Sequence, residues 1–159
     1  RSSGLGVNCY KPLEFALMSD IKYMLRALEV SKKALPNCIP NPPVGCVLVK
    51  NDVVVAEGFT QEIGGNHAEV EAINNYSGSL DNVTAYVTLE PCAFEGRTPS
   101  CAKMLVSTNI KKVIVAISDP DARNNGKGIE TLRNNGIKVE IGAASEEVSR
   151  FIEQYLGYS

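Results

Sequence analysis

A three-layer α/β/α sandwich around a central mixed sheet of about five strands is the fold this sequence predicts. Three features carry that expectation. Stretches with helical apolar spacing alternate with short β-branched runs along the chain. Val83–Leu89 is a continuous apolar run, the pattern of a strand covered on both faces. The first two β-branched runs flank Asn51-Asp52, a hairpin turn, so the sheet starts antiparallel; helices separate the later strands and make them parallel through right-handed crossovers.

In order, Asp20–Leu35 puts Ile21, Met24, Leu25 and Leu28 at helical spacing, with Ser19 or Asp20 as the N-cap and Pro36 as the stop. Pro40, Pro42 and Pro43 remove backbone donors and make residues 37–43 a stiff loop. Val44–Val49 and Val53–Phe59 are the hairpin strands. His67–Tyr76 reads as a helix with His67 and Glu69 in its first turn. Val83–Leu89 is a central strand closed by Glu90-Pro91-Cys92. Cys101–Thr108 is a short helix and Lys112–Ile117 a second buried strand. Gly128–Asn135 is a helix ended by Gly136, Lys138–Ile141 a strand, and Ser145–Leu156 the closing helix. Residues 1–17, rich in Ser and Gly at their start, read as a tag or disordered extension before Met18, which leaves 18–159 as one domain.

Composition narrows the function classes. A net charge of −2 argues against a duplex-binding surface. Neither a basic tail nor aromatic residues interleaved with Lys and Arg suggest single-stranded nucleic acid as a partner. No apolar run approaches the roughly 18 residues needed to span a membrane. Five cysteines, at 9, 38, 46, 92 and 101, are an odd number without a disulfide framework, which points to a reducing compartment and a cytoplasmic protein. Cys9, Cys38 and Cys46 read as extension, loop and core residues.

The chemistry is carried by His67-Ala68-Glu69, then Pro91-Cys92, then Cys101. Zinc that activates a water needs three protein ligands, an open fourth position and a nearby carboxylate that is not a ligand. His67, Cys92 and Cys101 supply the ligands, and Glu69 the proton shuttle, in the H-x-E…P-C…C pattern of zinc nucleobase deaminases. A lone His is commonly structural, and buried Cys residues commonly pack as small hydrophobes. The joint pattern at a helix start and a strand end is what separates the two readings, and Zn2+ is the expected cofactor.

Eight residues separate Cys92 from Cys101, where C-x-x-C is the common spacing. The run T-L-E-P-C-x-x-x-G-R-T-P-x-C from Thr88 to Cys101 resembles the deaminase domain of the riboflavin-biosynthesis deaminase/reductase. So do P-N-P-x-V-G-C-V from Pro40, G-x-x-H-A-E-V from Gly64, and D-P…G-K-G-I from Asp119 to Ile129. The resemblance covers Asp20–Phe151 and implies a cytidine-deaminase-like fold. The reaction it implies is hydrolytic deamination of 2,5-diamino-6-ribosylamino-4(3H)-pyrimidinone 5′-phosphate. It also implies a substrate set of Asn41, Arg97, Thr98, Phe94, Asp119 and Lys127. Arg97 and Thr98, beside the backbone donors around Gly96, form a candidate anion-binding group. Asn41 reads either as a substrate contact or as an Asx-turn cap. Lys127, between two glycines, reads either as a phosphate contact or as a surface turn.

Two positions depart from that family. Phe94 stands where a His is usual, and Asp121 stands where an Asn is usual. They bear on the substrate, so another small nucleobase, nucleoside or nucleotide is the alternative, and a catalytically silent zinc domain is a third reading that Glu69 argues against. The reductase domain of the family lies outside this sequence, so a separate reductase is expected in the pathway, and a homo-oligomer is possible.

Overall fold

The computed structural model describes residues 2–156, with side chains from residue 16 onward. The elements are α1 (Ser2–Ser31), β1 (Gly45–Lys50), β2 (Val53–Phe59), α2 (Ala68–Asn74), β3 (Val83–Leu89), α3 (Cys101–Val106), β4 (Lys112–Ile117), α4 (Lys127–Asn134), β5 (Lys138–Ile141) and α5 (Ser145–Ile152). Single 3-10 turns follow α1 at Lys32–Ala34 and α5 at Glu153–Tyr155.

The sheet order is β2-β1-β3-β4-β5. β1 pairs antiparallel with β2 and β3, while β3, β4 and β5 run parallel. Asn51 and Asp52 both have positive φ, 52° and 61°, as a two-residue turn matched to strand twist requires. Side-chain alternation splits the core into two layers. Cys46, Leu48, Ala85, Val87, Val113 and Val115 pack with Ala68, Ala72, Leu105 and Leu132 of α2, α3 and α4. Val47, Val49, Tyr86, Ile114 and Ala116 pack with Met24, Ala27, Val30, Val148 and Ile152 of α1 and α5. The continuous apolar character of β3 follows from this: both of its faces are covered.

Differences from the sequence expectation sit at element ends. The helix expected from Asp20 runs from Ser2; among its residues with described side chains the first buried one is Tyr23, and Ile21, assigned to the apolar face, is 44% exposed. The α-helix stops at Ser31, whose Oγ donates to the Leu28 carbonyl at 2.6 Å and turns the backbone before Pro36 is reached. The closing helix ends at Ile152 and tightens into a 3-10 turn. Among the described residues no helix is long and apolar enough to cross a membrane.

Candidate active site

Three chain segments meet at one end of the sheet. His67 is the N-cap of α2, with extended backbone (φ −76°, ψ 170°), and Glu69 follows in the first turn. The helix lies against β2 because Gly58 has no side chain: a Cβ there would stand 2.3 Å from the Ala72 nitrogen and 2.5 Å from the Ala68 oxygen. Cys92 leaves β3 through Pro91, and Cys101 is the first residue of α3. The loop between them closes on itself. The Cys92 carbonyl accepts from the Ala102 N–H at 3.0 Å and from Ser100 Oγ at 2.8 Å, and the Cys101 N–H donates to Cys92 Sγ at 3.3 Å. Ser100 Oγ in turn accepts from the Lys103 N–H and caps α3. The long spacing is therefore stitched at its base, and its tip is free to line a cavity.

His67 Nδ1 stands 3.2 Å from Cys101 Sγ and 3.8 Å from Cys92 Sγ, and the three ligand-type atoms lie within 4.8 Å of one another. A tetrahedral ion with bonds of about 2.0–2.3 Å holds such atoms roughly 3.5–3.8 Å apart. One imidazole and two thiols at that spacing fit zinc, a borderline-soft ion, and suit magnesium or calcium poorly. His67 Nε2 lies 3.5 Å from Thr98 Oγ1, which places a hydroxyl of the inserted loop behind the ring. Hydrogen bonding from Cys101 and from His67 holds the Cys92 thiol below the usual cysteine range, against desolvation. Cys101, 1% exposed, is pushed the other way by its bond to Cys92 and by burial.

Glu69 is 4% exposed, and burial pushes its carboxyl up to about 7, with the His67 charge opposing. A carboxyl poised near neutrality can both take and return a proton at cellular pH.

A cavity of about 540 Å³ opens over these groups. His67, Glu69 and Cys92 line its floor, and Asn41, Phe94, Arg97, Thr98 and Asp119 line its walls. The sequence-derived set thus converges, with two exceptions. Cys101 is sealed behind the floor. Lys127 does not line the cavity; it is the first residue of α4, with its N–H 2.5 Å from the Asn124 carbonyl.

Sequence reasoning gave no role to Glu90, Asn124, Arg123 or Tyr155. Glu90, read as a strand end and as part of the T-L-E-P-C run but given no role, is a buried carboxylate that accepts from the N–H groups of Asp119 (2.9 Å), Gly126 (3.0 Å) and Ile129 (3.0 Å). Asn124 is fully buried; it accepts from the Ala93 N–H at 3.0 Å and donates to the Pro91 carbonyl and Asp119 Oδ2. Together they tie the loop carrying Asp119 to the loop carrying Cys92. Gly128 permits that approach, since a Cβ there would lie 1.8 Å from the Pro91 oxygen. Arg123 and Tyr155 also line the cavity. The polar run Asn124-Asn125 beside a glycine is a turn signal, and nothing in its composition marks Asn124 as buried.

Comparison with known proteins agrees with this geometry. The family profile described as the cytidine and deoxycytidylate deaminase zinc-binding region matches residues 18–117. The diaminohydroxyphosphoribosylamino-pyrimidine deaminase of Buchnera aphidicola (subsp. Acyrthosiphon pisum) is 42% identical over 134 residues, 84% of this chain and 91% of that protein. The riboflavin biosynthesis protein RibD of Actinobacillus pleuropneumoniae is 47% identical over 133 residues, 84% of this chain but 35% of that protein. The solved structure of Acinetobacter baumannii RibD superposes with a TM-score of 0.85 at 45% identity, covering 89% of this chain and 40% of that one. The chain therefore spans about a third of the Actinobacillus protein and nearly all of the Buchnera deaminase.

Proposed function

We propose that this chain, which belongs to the cytidine and deoxycytidylate deaminase zinc-binding family in its riboflavin-biosynthesis branch, hydrolytically deaminates 2,5-diamino-6-ribosylamino-4(3H)-pyrimidinone 5′-phosphate. The observation that carries the proposal is a buried Glu69 beside a compact His67/Cys92/Cys101 donor set at the floor of one cavity.

His67, Cys92 and Cys101 would hold zinc, which supplies Lewis acidity and lowers the pKa of a bound water to about 7. Glu69 takes the proton of the attacking water as its oxygen adds to the ring carbon that bears the amine. It returns that proton to the ring nitrogen, and the remaining proton of the added hydroxyl reaches the departing amine through the same carboxyl as the carbonyl forms. The C–N bond breaks, ammonia leaves, and a ring carbonyl remains. Asn41, held in its proline-flanked loop, orients the ring or ribose. Arg97 and Thr98 on the inserted loop meet the phosphate end, with Thr98 also bracing His67 Nε2. Asp119, tethered by Glu90 and Asn124, faces the same cavity as an acceptor for substrate N–H or hydroxyl groups.

The test is ammonia release from the freshly generated pyrimidine phosphate. Wild-type protein releases it, whereas Glu69→Gln keeps its zinc and loses about 10²–10⁴-fold in kcat. An active Glu69→Gln overturns the shuttle. No release by metallated, folded wild type shifts the substrate to another small aminated base, the second reading, which Phe94 and Asp121 in the cavity wall favour.

A further inference from the structure

Phe94 and Asp121, the two positions that depart from the family pattern, touch the same third residue. The Arg123 guanidinium carbon stands 4.5 Å from the centroid of the Phe94 ring. Its Nε lies 3.1 Å and 3.2 Å from the two Asp121 carboxylate oxygens, and its Nη2 lies 2.6 Å from Oδ2. The Arg123 N–H donates to Asp121 Oδ1 at 2.9 Å, which fixes the backbone from which the side chain springs. All three residues line the cavity over His67 and Glu69.

A guanidinium has two edges able to make paired hydrogen bonds. Asp121 occupies the edge formed by Nε and Nη2, and Phe94 covers a face. The other edge, formed by Nη1 and the second N–H of Nη2, has no protein acceptor among the described residues. The side chain is 60% exposed, so that edge is open to a ligand. A long arginine on a turn normally loses much rotamer freedom when it binds. Here the ring and the carboxylate hold one rotamer in advance, which favours geometry-demanding recognition of an oxyanion. Arg97, on the inserted loop, lines the same cavity and supplies a second cation.

We propose that Arg123 is a specificity-determining residue that grips the phosphate group of the substrate with its open Nη1/Nη2 edge, and that Phe94 and Asp121 are its positioning residues. The two departures are then one device. The Phe94 ring gives up hydrogen bonding of its own to become a stacking platform, and the Asp121 carboxylate anchors the arginine. The proposal rests on the reading of the substrate as a phosphoribosylated pyrimidine.

Two measurements separate this proposal from that reading. The first is steady-state deamination of the pyrimidine phosphate and of its dephosphorylated form by wild type, Arg123→Ala, Arg123→Lys, Phe94→Leu and Phe94→Tyr. Arg123→Ala raises KM about 10- to 100-fold for the phosphorylated substrate and less than about 2-fold for the other, with kcat and zinc content kept. Arg123→Lys recovers only part of the loss, because it keeps the charge and lacks the paired edge. Phe94→Leu weakens phosphate discrimination about 3- to 10-fold, and Phe94→Tyr, which keeps a stacking face, restores it. Equal changes for both substrates, or none, overturn the proposal while leaving the deaminase reading intact. The second measurement is binding of ribose 5-phosphate to zinc-loaded protein by calorimetry. Arg123-dependent binding without turnover of the pyrimidine phosphate sustains the phosphate site and overturns the substrate reading. Binding that is indifferent to Arg123→Ala overturns the phosphate site itself.

Discussion

The floor and the mouth of the cavity are built from different materials. At the floor, Glu69 and Cys101 are 4% and 1% exposed, and the segments carrying Cys92 and Cys101 are joined by backbone and Ser100 hydrogen bonds. Beside it, the Glu90 carboxylate, which also lines the cavity, and the buried Asn124 amide satisfy backbone groups on two loops at once. At the mouth, Arg97 and Arg123 are exposed, and the contacts that hold Arg123 are a surface ion pair and a ring face. The difference follows from what each part must do. Proton transfer needs a low dielectric and donors that do not reorganise, which burial and backbone bonding provide. Substrate selection needs groups that exchange water for ligand, and such groups lie on exposed loops. Substitutions such as Phe94 and Asp121 are therefore tolerated at the mouth and would be costly at the floor.

Cys101→Ala tests the floor most severely. It is expected to lose the metal and more than about 10³-fold in activity, because on the proposed reading it deletes a ligand; loss of a supporting partner costs about 10- to 100-fold. Metal content per chain measured beside ammonia release decides it, and a fully metallated, active variant would dissolve the distinction between floor and mouth.

Glu90→Ala removes one acceptor group from three N–H donors, that of Ile129 buried and those of Asp119 and Gly126 half-buried, and is expected to cost about 2–4 kcal/mol of stability. Urea unfolding measures this, with Arg97→Ala, within about 0.5 kcal/mol of wild type, as the contrast from the mouth. A Glu90→Ala midpoint equal to wild type would show that the two loops are held by other contacts.

The floor also carries a pH signature in metal-free protein. The Glu69 carboxyl is raised to about 7 when folded, so the folded state holds its proton over a range in which the unfolded chain, near the ordinary carboxylate value, has released it. Stability is thus full below the unfolded value and falls as pH rises toward about 7. Glu69→Gln, a neutral mimic, is expected to be about 1–3 kcal/mol more stable than wild type at pH 8. The gap should close near pH 4.5, the ordinary carboxylate value. A gap independent of pH would mean that Glu69 is not the titrating group.

Arg97→Ala gives the smallest effect. It is expected to raise KM about 10-fold for a phosphorylated substrate and to leave the dephosphorylated form within about 2-fold. Equal changes would place Arg97 outside the phosphate end and leave Arg123 as the cation of the mouth.

The pattern of what could be read in advance follows the same divide. The strands at Val83–Leu89 and Lys112–Ile117 and the Asn51-Asp52 turn were legible because burial on two faces and positive φ each leave a compositional trace. The clustering of His67, Cys92 and Cys101 with Glu69 beside them was legible because the residue types suited to metal chemistry are so few. Glu90 and Asn124 were not, since a carboxylate or an amide in a turn looks the same in sequence whether it meets water or three backbone donors. Lys127 shows the converse: a glycine-flanked lysine reads equally as a phosphate contact or as a surface turn, and only its place at the start of α4, outside the cavity lining, separates the two geometries.

The sequence by itself determined the layer order, the element sequence and the donor set, because periodicity and ligand chemistry are properties of residue type and spacing. The tertiary structure alone decided which loops close over that donor set. Asp119 and Arg123 reach the cavity only because Glu90 and Gly128 bring two distant segments into contact. That contact depends on long-range hydrogen bonds and on a missing Cβ, neither of which leaves a periodic trace along the chain.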